Sequence, residues 1–213
     1  MTQPNSDDRQ YAAATARNRK PILDILQQVL PKQGTVLEIS SGTGEHVTFF
    51  ASQMPHLQWQ SSEPNPLSRR SIQAWIQALP APNLLSPLAL DVSQQPWPVE
   101  ENPSLSATIA AIVNINMLHI APWEMTRHLM AGAQRVLPTG GILYLYGPFK
   151  QANEPMAPSN EAFDRMLRDR NERWGIRDLA EVSAIAQSHG LQRIRIDTMP
   201  ANNLSVTFQR LAN

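Results

Sequence analysis

The sequence predicts an α/β fold: a doubly wound, mainly parallel seven-stranded sheet with helices on both faces and an antiparallel final strand. Three observations predict it. Short apolar runs bounded by glycine and proline alternate with amphipathic stretches of helical period, the pattern of a parallel sheet with crossover helices. The run "ATIAAIVNIN", residues 107–116, is continuously apolar, as a strand buried on both faces must be. The last two runs, "LQRIRIDTM" and "NLSVTFQRL", alternate and are separated only by "PANN", which suits an antiparallel pair.

The elements follow in order. "NRKPILDILQQVL" spaces Ile22, Leu23, Ile25, Leu26, Val29 and Leu30 as a helix, with Asn18 as its N-cap and Pro21 in its first turn. "TVLEI" is a short buried strand, "EHVTFFASQM" a helix, and "LQWQSS" a strand that stops at Glu63 and the breakers Pro64 and Pro66. "LSRRSIQAWIQAL" is a helix with Ile72, Trp75, Ile76 and Leu79 on one face. Pro87 limits the third strand to Leu88 onward, because proline cannot donate to a ladder. "PWEMTRHLMAGAQRVL" is a helix opened near Pro122, and "GGILYLYGPF" a buried strand entered through a double glycine. Helical patterns near 160–170 and 177–189 precede the final pair.

Composition narrows the function classes. A chain of 213 residues suits one domain with one core. The 18 basic residues are balanced by 18 acidic ones, without charge blocks, so a nucleic-acid partner is not expected and a small molecule or protein is. No apolar run is long enough to cross a bilayer, and the opening "MTQPNSDDRQ" is polar, so neither an anchor nor a signal is expected; a cytoplasmic location follows by default. With 0 cysteines, disulfides, zinc-thiolate sites and thiol nucleophiles are excluded, and no metal is expected. The sequence does not specify an oligomeric state.

The informative stretch is "TVLEISSGTGEH". A strand running into Gly42-Thr43-Gly44 and then a helix lets a ligand approach the backbone and offers free N–H groups. A P-loop would need lysine where Glu45 stands, and a dinucleotide fingerprint would need glycine where Val47 stands. A cationic or sulfonium-bearing nucleoside is compatible with the acid Glu38 ahead of the turn, whose alternative use is to tie down the turn's own backbone.

Here the residues resemble a family. "LEISSGTGEH" resembles the first motif of class I S-adenosylmethionine-dependent methyltransferases, with Ser40 in place of the first motif glycine. The resemblance implies a Rossmann-like methyltransferase fold. It also implies that Glu63 accepts hydrogen bonds from the ribose hydroxyls and that Asp91, with Val92 beside it, meets the adenine. More narrowly, "RQYAAATARNRKPIL", "HIAPW", "LYGPF", "APSNEAFD", "WGIRDL" and "MPANNLS" closely resemble the methyltransferase-like protein 26 family. By that resemblance the chain is a single domain spanning 1–213, with residues 1–30 as its N-terminal lid and helix. Tyr11, Arg17 and Asn18 belong to the lid, and Arg17 is a candidate partner for the carboxylate of S-adenosyl-L-methionine, with a surface role as its alternative.

Methyl transfer from a sulfonium is an in-line displacement, so alignment and exclusion of water matter more than acid–base chemistry. Where a base is needed, His119 is the candidate by location, with a packing role as its alternative. Asn116 is placed to touch the cofactor. Tyr146 is a second catalytic candidate, and Phe149, Lys150, Asn160, Asn202 and Asn203 line the acceptor side, although asparagines often only make turns. Trp59, Trp75 and Trp123 read as core. The function expected is methyl transfer to an unidentified small molecule or protein side chain. The rival is a non-catalytic module that keeps the fold and the cofactor, and a nicotinamide-dependent oxidoreductase is the distant third.

Overall fold

A computed structural model describes residues 8–152 and 154–212; residues 1–7, the first part of the polar opening and of the expected lid, lie outside the described residues. The chain divides into two compact units, Met1–Val113 and Asn114–Asn213. The first contains helix α1 (Ala13–Val29), strand β1 (Thr35–Ile39), α2 (Glu45–Gln53), β2 (Gln58–Ser62), α3 (Pro66–Ala78), β3 (Leu84–Leu88) and the short α4 (Pro103–Ser106). Strand β4 (Ile109–Ile115) runs through the division. The second contains α5 (Glu124–Val136), β5 (Ile142–Gly147), β6 (Phe149–Lys150), α6 (Pro158–Arg170), β7 (Arg177–Asp178), α7 (Leu179–Ser188), β8 (Leu191–Met199) and β9 (Asn203–Arg210).

The sheet has seven strands in the order β3-β2-β1-β4-β5-β9-β8, and β6 pairs with β7 in a separate two-stranded ribbon. In the first unit β1 pairs parallel with β2 from Thr35↔Gln58 to Glu38↔Ser61, and β2 pairs parallel with β3. In the second, β9 is antiparallel to both β5 and β8. This is the mainly parallel α/β sheet with an antiparallel final strand that the pattern predicts. The strand order reverses direction after β1, the kind of switch where open α/β sheets take ligands outside their carboxyl ends.

Each unit has its own apolar interior. In the first, Ile22 and Leu26 of α1, Val36 and Leu37 of β1, Phe50 of α2, Trp59 of β2 and Ile72 of α3 are fully buried. In the second, Leu129, Met130 and Ala133 of α5 share complete burial with Leu143, Tyr144, Val206 and Phe208. Burial of one such large side chain contributes about 1.5–3 kcal/mol. Among the described residues no helix is long and apolar enough to cross a membrane.

Three expectations about elements are corrected. Helix α1 begins at Ala13 rather than at Asn18, because the alanine-rich run ahead of Asn18 is itself strongly helix-forming. Pro21 therefore lies inside the helix, and Asn18 is not a cap but a buried group whose Oδ1 lies 2.8 Å from His46 Nε2. Strand β3 runs through Pro87 and ends at Leu88, instead of starting there; it is an edge strand, where a missing N–H does no harm. The apolar face of α3 is narrower than its period suggests, with Ile72 buried, Trp75 half-buried and Leu79 55% exposed.

Candidate functional site

The first unit builds its site on the carboxyl ends of β1 and β2. Glu38, in β1, is 2% exposed, and its Oε2 is buried without a hydrogen-bond partner. Burial pushes its carboxyl up to about 7; a hydrogen bond from Ser41 opposes that rise and the nearby Glu63 adds to it. Ser62 Oγ holds its backbone by donating to the Glu38 carbonyl at 2.7 Å, and the Ser62 N–H in turn donates to Ser41 Oγ at 3.3 Å.

Beyond Glu38 the chain enters the left-handed region at Ser40 (φ 57°), Gly42 (φ 56°) and Gly44 (φ 92°). Ser40 thus occupies a conformation natural to the glycine that the motif has there, at a strain of about 1–2 kcal/mol. The two glycines serve different ends. A Cβ on Gly42 would meet nothing within 4 Å, so that face of the turn is open; a Cβ on Gly44 would fall 2.8 Å from the Ile72 Cα. Gly42 leaves room for a ligand, whereas Gly44 permits α2 to pack against α3.

Glu63 follows β2 directly and is 8% exposed. Its Oε2 accepts the Gly42 N–H at 3.0 Å and its Oε1 the Asn65 N–H at 3.1 Å. A carboxylate has about four lone-pair sites, so each oxygen retains acceptor capacity. Glu63 is therefore not a solvated loop acid. Asp91 stands in the loop three residues past β3 and is half-exposed; its Oδ1 accepts the N–H and Oγ of Ser93 in a local turn. Val92 is buried, and its carbonyl accepts the Trp97 indole at 3.2 Å.

A strap precedes α1. The Gln10 N–H donates to Ser71 Oγ, which donates to the Thr43 carbonyl, each at 2.7 Å. The Ala12 N–H donates to Glu45 Oε2, which also accepts the Thr43 hydroxyl. Both relays end on the residue between the two glycines. Trp75 is an anchor for this strap rather than core: its indole donates to the Gln10 carbonyl, Tyr11 meets its ring edge-on at 5.1 Å, and the Arg9 guanidinium lies over it. Tyr11 itself is 67% exposed, and Arg17 is exposed on α1. Neither relay is legible in the sequence, since Ser71 and Glu45 are ordinary helix-surface types.

In the second unit, Asn116 adopts φ 64°, and its N–H donates to the Tyr146 carbonyl at 2.8 Å. His119 is 1% exposed, and neither ring nitrogen has a hydrogen-bond partner. Burial, and then Arg177, lower its pKa to about 3. Its ring lies edge-on to Phe149 at 4.9 Å, and a Cβ on Gly147 would fall 2.4 Å from its Nε2. His119 is thus an enclosed imidazole packed between Phe149 and Gly147. Tyr146 is likewise buried, at 3% exposure. Trp59 is fully buried, whereas Trp123 is half-buried and stacks under Arg177.

Phe149, Asn160, Asn202 and Asn203 are brought together. With Lys150, Glu154, Met156 and Thr198 they line a cavity of about 350 Å³ that belongs wholly to the second unit. The sequence indicates these four and Lys150 but gives no sign of Glu154, Met156 or Thr198, which reach the wall only through the course of residues 154–157 and of β8.

The family model described as "Protein of unknown function (DUF938)" matches residues 9–210. The chain belongs to the DUF938 family. It is this family, and not methyltransferase-like protein 26, that the match names. Solved structures similar to this DUF938 chain include an O-methyltransferase family protein from Burkholderia thailandensis, with a TM-score of 0.74, 13% identity, and coverage of 94% of this chain and 58% of that one. Another is human N-acetylserotonin methyltransferase in complex with SAM, with a TM-score of 0.73, 11% identity and coverage of 93% and 53%. A third is an O-methyltransferase family 2 protein from Planctomyces limnophilus in complex with apigenin, with a TM-score of 0.74, 15% identity and coverage of 93% and 60%. At these identities the likeness is one of fold, and the chain spans somewhat over half the length of those proteins.

Proposed function

We propose that this protein is an S-adenosyl-L-methionine-dependent methyltransferase acting on a small-molecule or protein acceptor, with no nucleic-acid or membrane partner. The observation that carries the reading is the first-unit arrangement: an open Gly42 face whose N–H is held by Glu63, a carboxylate with spare acceptor capacity, and Glu38, near enough to Glu63 to feel its charge and with a buried, unpartnered Oε2. These residues fit the cofactor. An ammonium beside Glu38 would supply the cation that its buried carboxylate lacks, and two ribose hydroxyls suit the remaining lone pairs of Glu63. Asp91, whose Oδ1 is taken by Ser93, would meet the adenine amino group through its other oxygen, with Val92 as the apolar neighbour. Ser40, Tyr11 and Arg17 are assigned secondary contacts, the last two through the strap and lid, and Gly44 acts through packing. The narrower kinship to methyltransferase-like protein 26 rests on the sequence motifs.

When bound, the cofactor supplies an activated methyl group on sulfur. The chain's part is to fix the nucleoside by Glu63 and to keep the Gly42 face free of side chain. The test is thermal: S-adenosylmethionine and S-adenosylhomocysteine should each raise the melting temperature as RT ln(1 + [L]/Kd), and Glu63→Ala should abolish both shifts. No shift at millimolar ligand overturns the proposal. The burial of His119 favours a second reading, a module that binds the cofactor without turnover. Labelled methyl transfer to candidate acceptors distinguishes the two, since binding without transfer supports the module.

A further inference from the structure

The cavity of the second unit carries chemistry of its own. Asn160 is 7% exposed, and its Nδ2 donates to the Asn202 carbonyl at 2.9 Å. A carbonyl can only accept, so this bond fixes which end of the amide is nitrogen and leaves the Asn160 Oδ1 as the free end. Asn203 is fixed in the same way, because its Nδ2 donates to the carbonyls of Pro200 and Ala201. Both residues line the cavity.

The wall is also unusual in its backbone. Ala201 and Asn202 both adopt φ 57° in the 3-10 turn between β8 and β9, and neither is glycine. Asn160, reaching from α6, holds this turn through Asn202. Strain kept in place by a buried polar side chain is more readily understood at a binding wall than at a plain hairpin.

The remaining lining selects among ligands. Lys150 and Glu154 contribute one charge of each sign, so a strongly charged molecule gains from one and loses to the other. Phe149, Met156 and Leu204 supply apolar surface. We infer that this cavity binds a neutral small molecule through two adjacent hydroxyl groups carried on an apolar frame, the hydroxyls donating to the oriented amide oxygens of Asn160 and Asn203. As the acceptor of a methyl group this molecule rests on the function proposed above; as a ligand of the cavity it does not.

The probe is trans-1,2-cyclohexanediol, and the control its dimethyl ether, which has the same frame and no donor. Both are titrated into the full-length, isotope-labelled protein without cofactor, and the side-chain amide resonances of Asn160 and Asn203 are followed by NMR. The diol is expected to shift both resonances in a saturable way, with at least tenfold weaker binding of the ether. Asn160→Leu should abolish the diol response. Because that variant removes the bond to Asn202 and can disturb the turn, Ser159→Ala serves as a companion: it removes the bond that Asn202 Nδ2 donates to Ser159 Oγ, at a residue outside the cavity lining, and should retain the response. Equal binding of diol and ether overturns the inference, as does a diol response elsewhere or none at all. The melting-temperature shift by S-adenosylhomocysteine is read separately, so a failure of the cofactor reading is distinguishable from a failure at this cavity.

Discussion

Glu63 Oε2 accepts the N–H of Gly42 at 3.0 Å, so a carboxylate at the end of β2 holds the turn at the end of β1. The residue assigned to the ribose is therefore also part of the scaffold. Glu63→Ala leaves the N–H groups of Gly42 and Asn65 without this acceptor and should lower stability by about 1–3 kcal/mol in addition to removing the cofactor-induced shift. Urea unfolding with and without S-adenosylhomocysteine measures the two effects apart.

The two glycines should respond differently to alanine. Gly42→Ala adds a methyl group in open space at φ 56° and should cost about 1–2 kcal/mol of stability while weakening cofactor binding strongly. Gly44→Ala drives a methyl group against Ile72 and should cost roughly 2–4 kcal/mol, from left-handed strain and overpacking together. Equal losses of cofactor affinity per unit of lost stability in the two variants would contradict this division of roles.

Glu38 makes stability depend on pH. Its folded-state pKa of about 7 lies above the ordinary 4.5, so the native state binds the proton more tightly than the unfolded state does. The stabilisation is fully present below the unfolded value and is lost as pH rises through 7, amounting to about 3 kcal/mol by alkaline pH. Glu38→Gln should therefore stabilise the ligand-free protein at pH 8 and have little effect at pH 4. By the same linkage, cofactor affinity should rise between pH 6 and 8 in the parent and not in the variant. Melting curves across that range decide it.

His119 behaves in the opposite sense. Its pKa is depressed to about 3, so stability is present above the ordinary value of 6.5 and is lost as pH falls toward 3. The ring should remain neutral at pH 5, and His119 should contribute no inflection to a transfer-rate profile between pH 5 and 8. Histidine ring chemical shifts and the rate profile check both statements.

Trp75 tethers the strap. Trp75→Ala removes the indole bond to the Gln10 carbonyl and the edge contact with Tyr11, and should cost about 1–3 kcal/mol. Faster hydrogen exchange and proteolysis confined to residues 9–13, with the interior unchanged, is the expected result.

Much of the fold was legible because periodicity and breakers act locally. "TVLEI", "LQWQSS", "ATIAAIVNIN" and "GGILYLYGPF" are strands where the apolar runs place them, and the closing pair is antiparallel. The acids Glu38 and Glu63 were legible from their position at strand ends. Pro87 misled because the sequence does not reveal that β3 lies at an edge, and Asn18 because a side chain long enough to cap can equally be buried against a partner distant in sequence. Trp75 misled because period alone does not say which part of an amphipathic face a neighbouring segment covers.

The sequence by itself determined the alternation of strands and helices, the glycine turn after β1 and the carboxylates at the strand ends, since each depends on residues close along the chain. Only the tertiary structure decided that Gly42 faces open space while Gly44 faces Ile72, that Glu38 is left with an unpartnered oxygen, that His119 is sealed, and that Asn160 donates to the Asn202 carbonyl. Those properties are set by burial and by hydrogen-bond partners far apart in sequence, which no local pattern encodes.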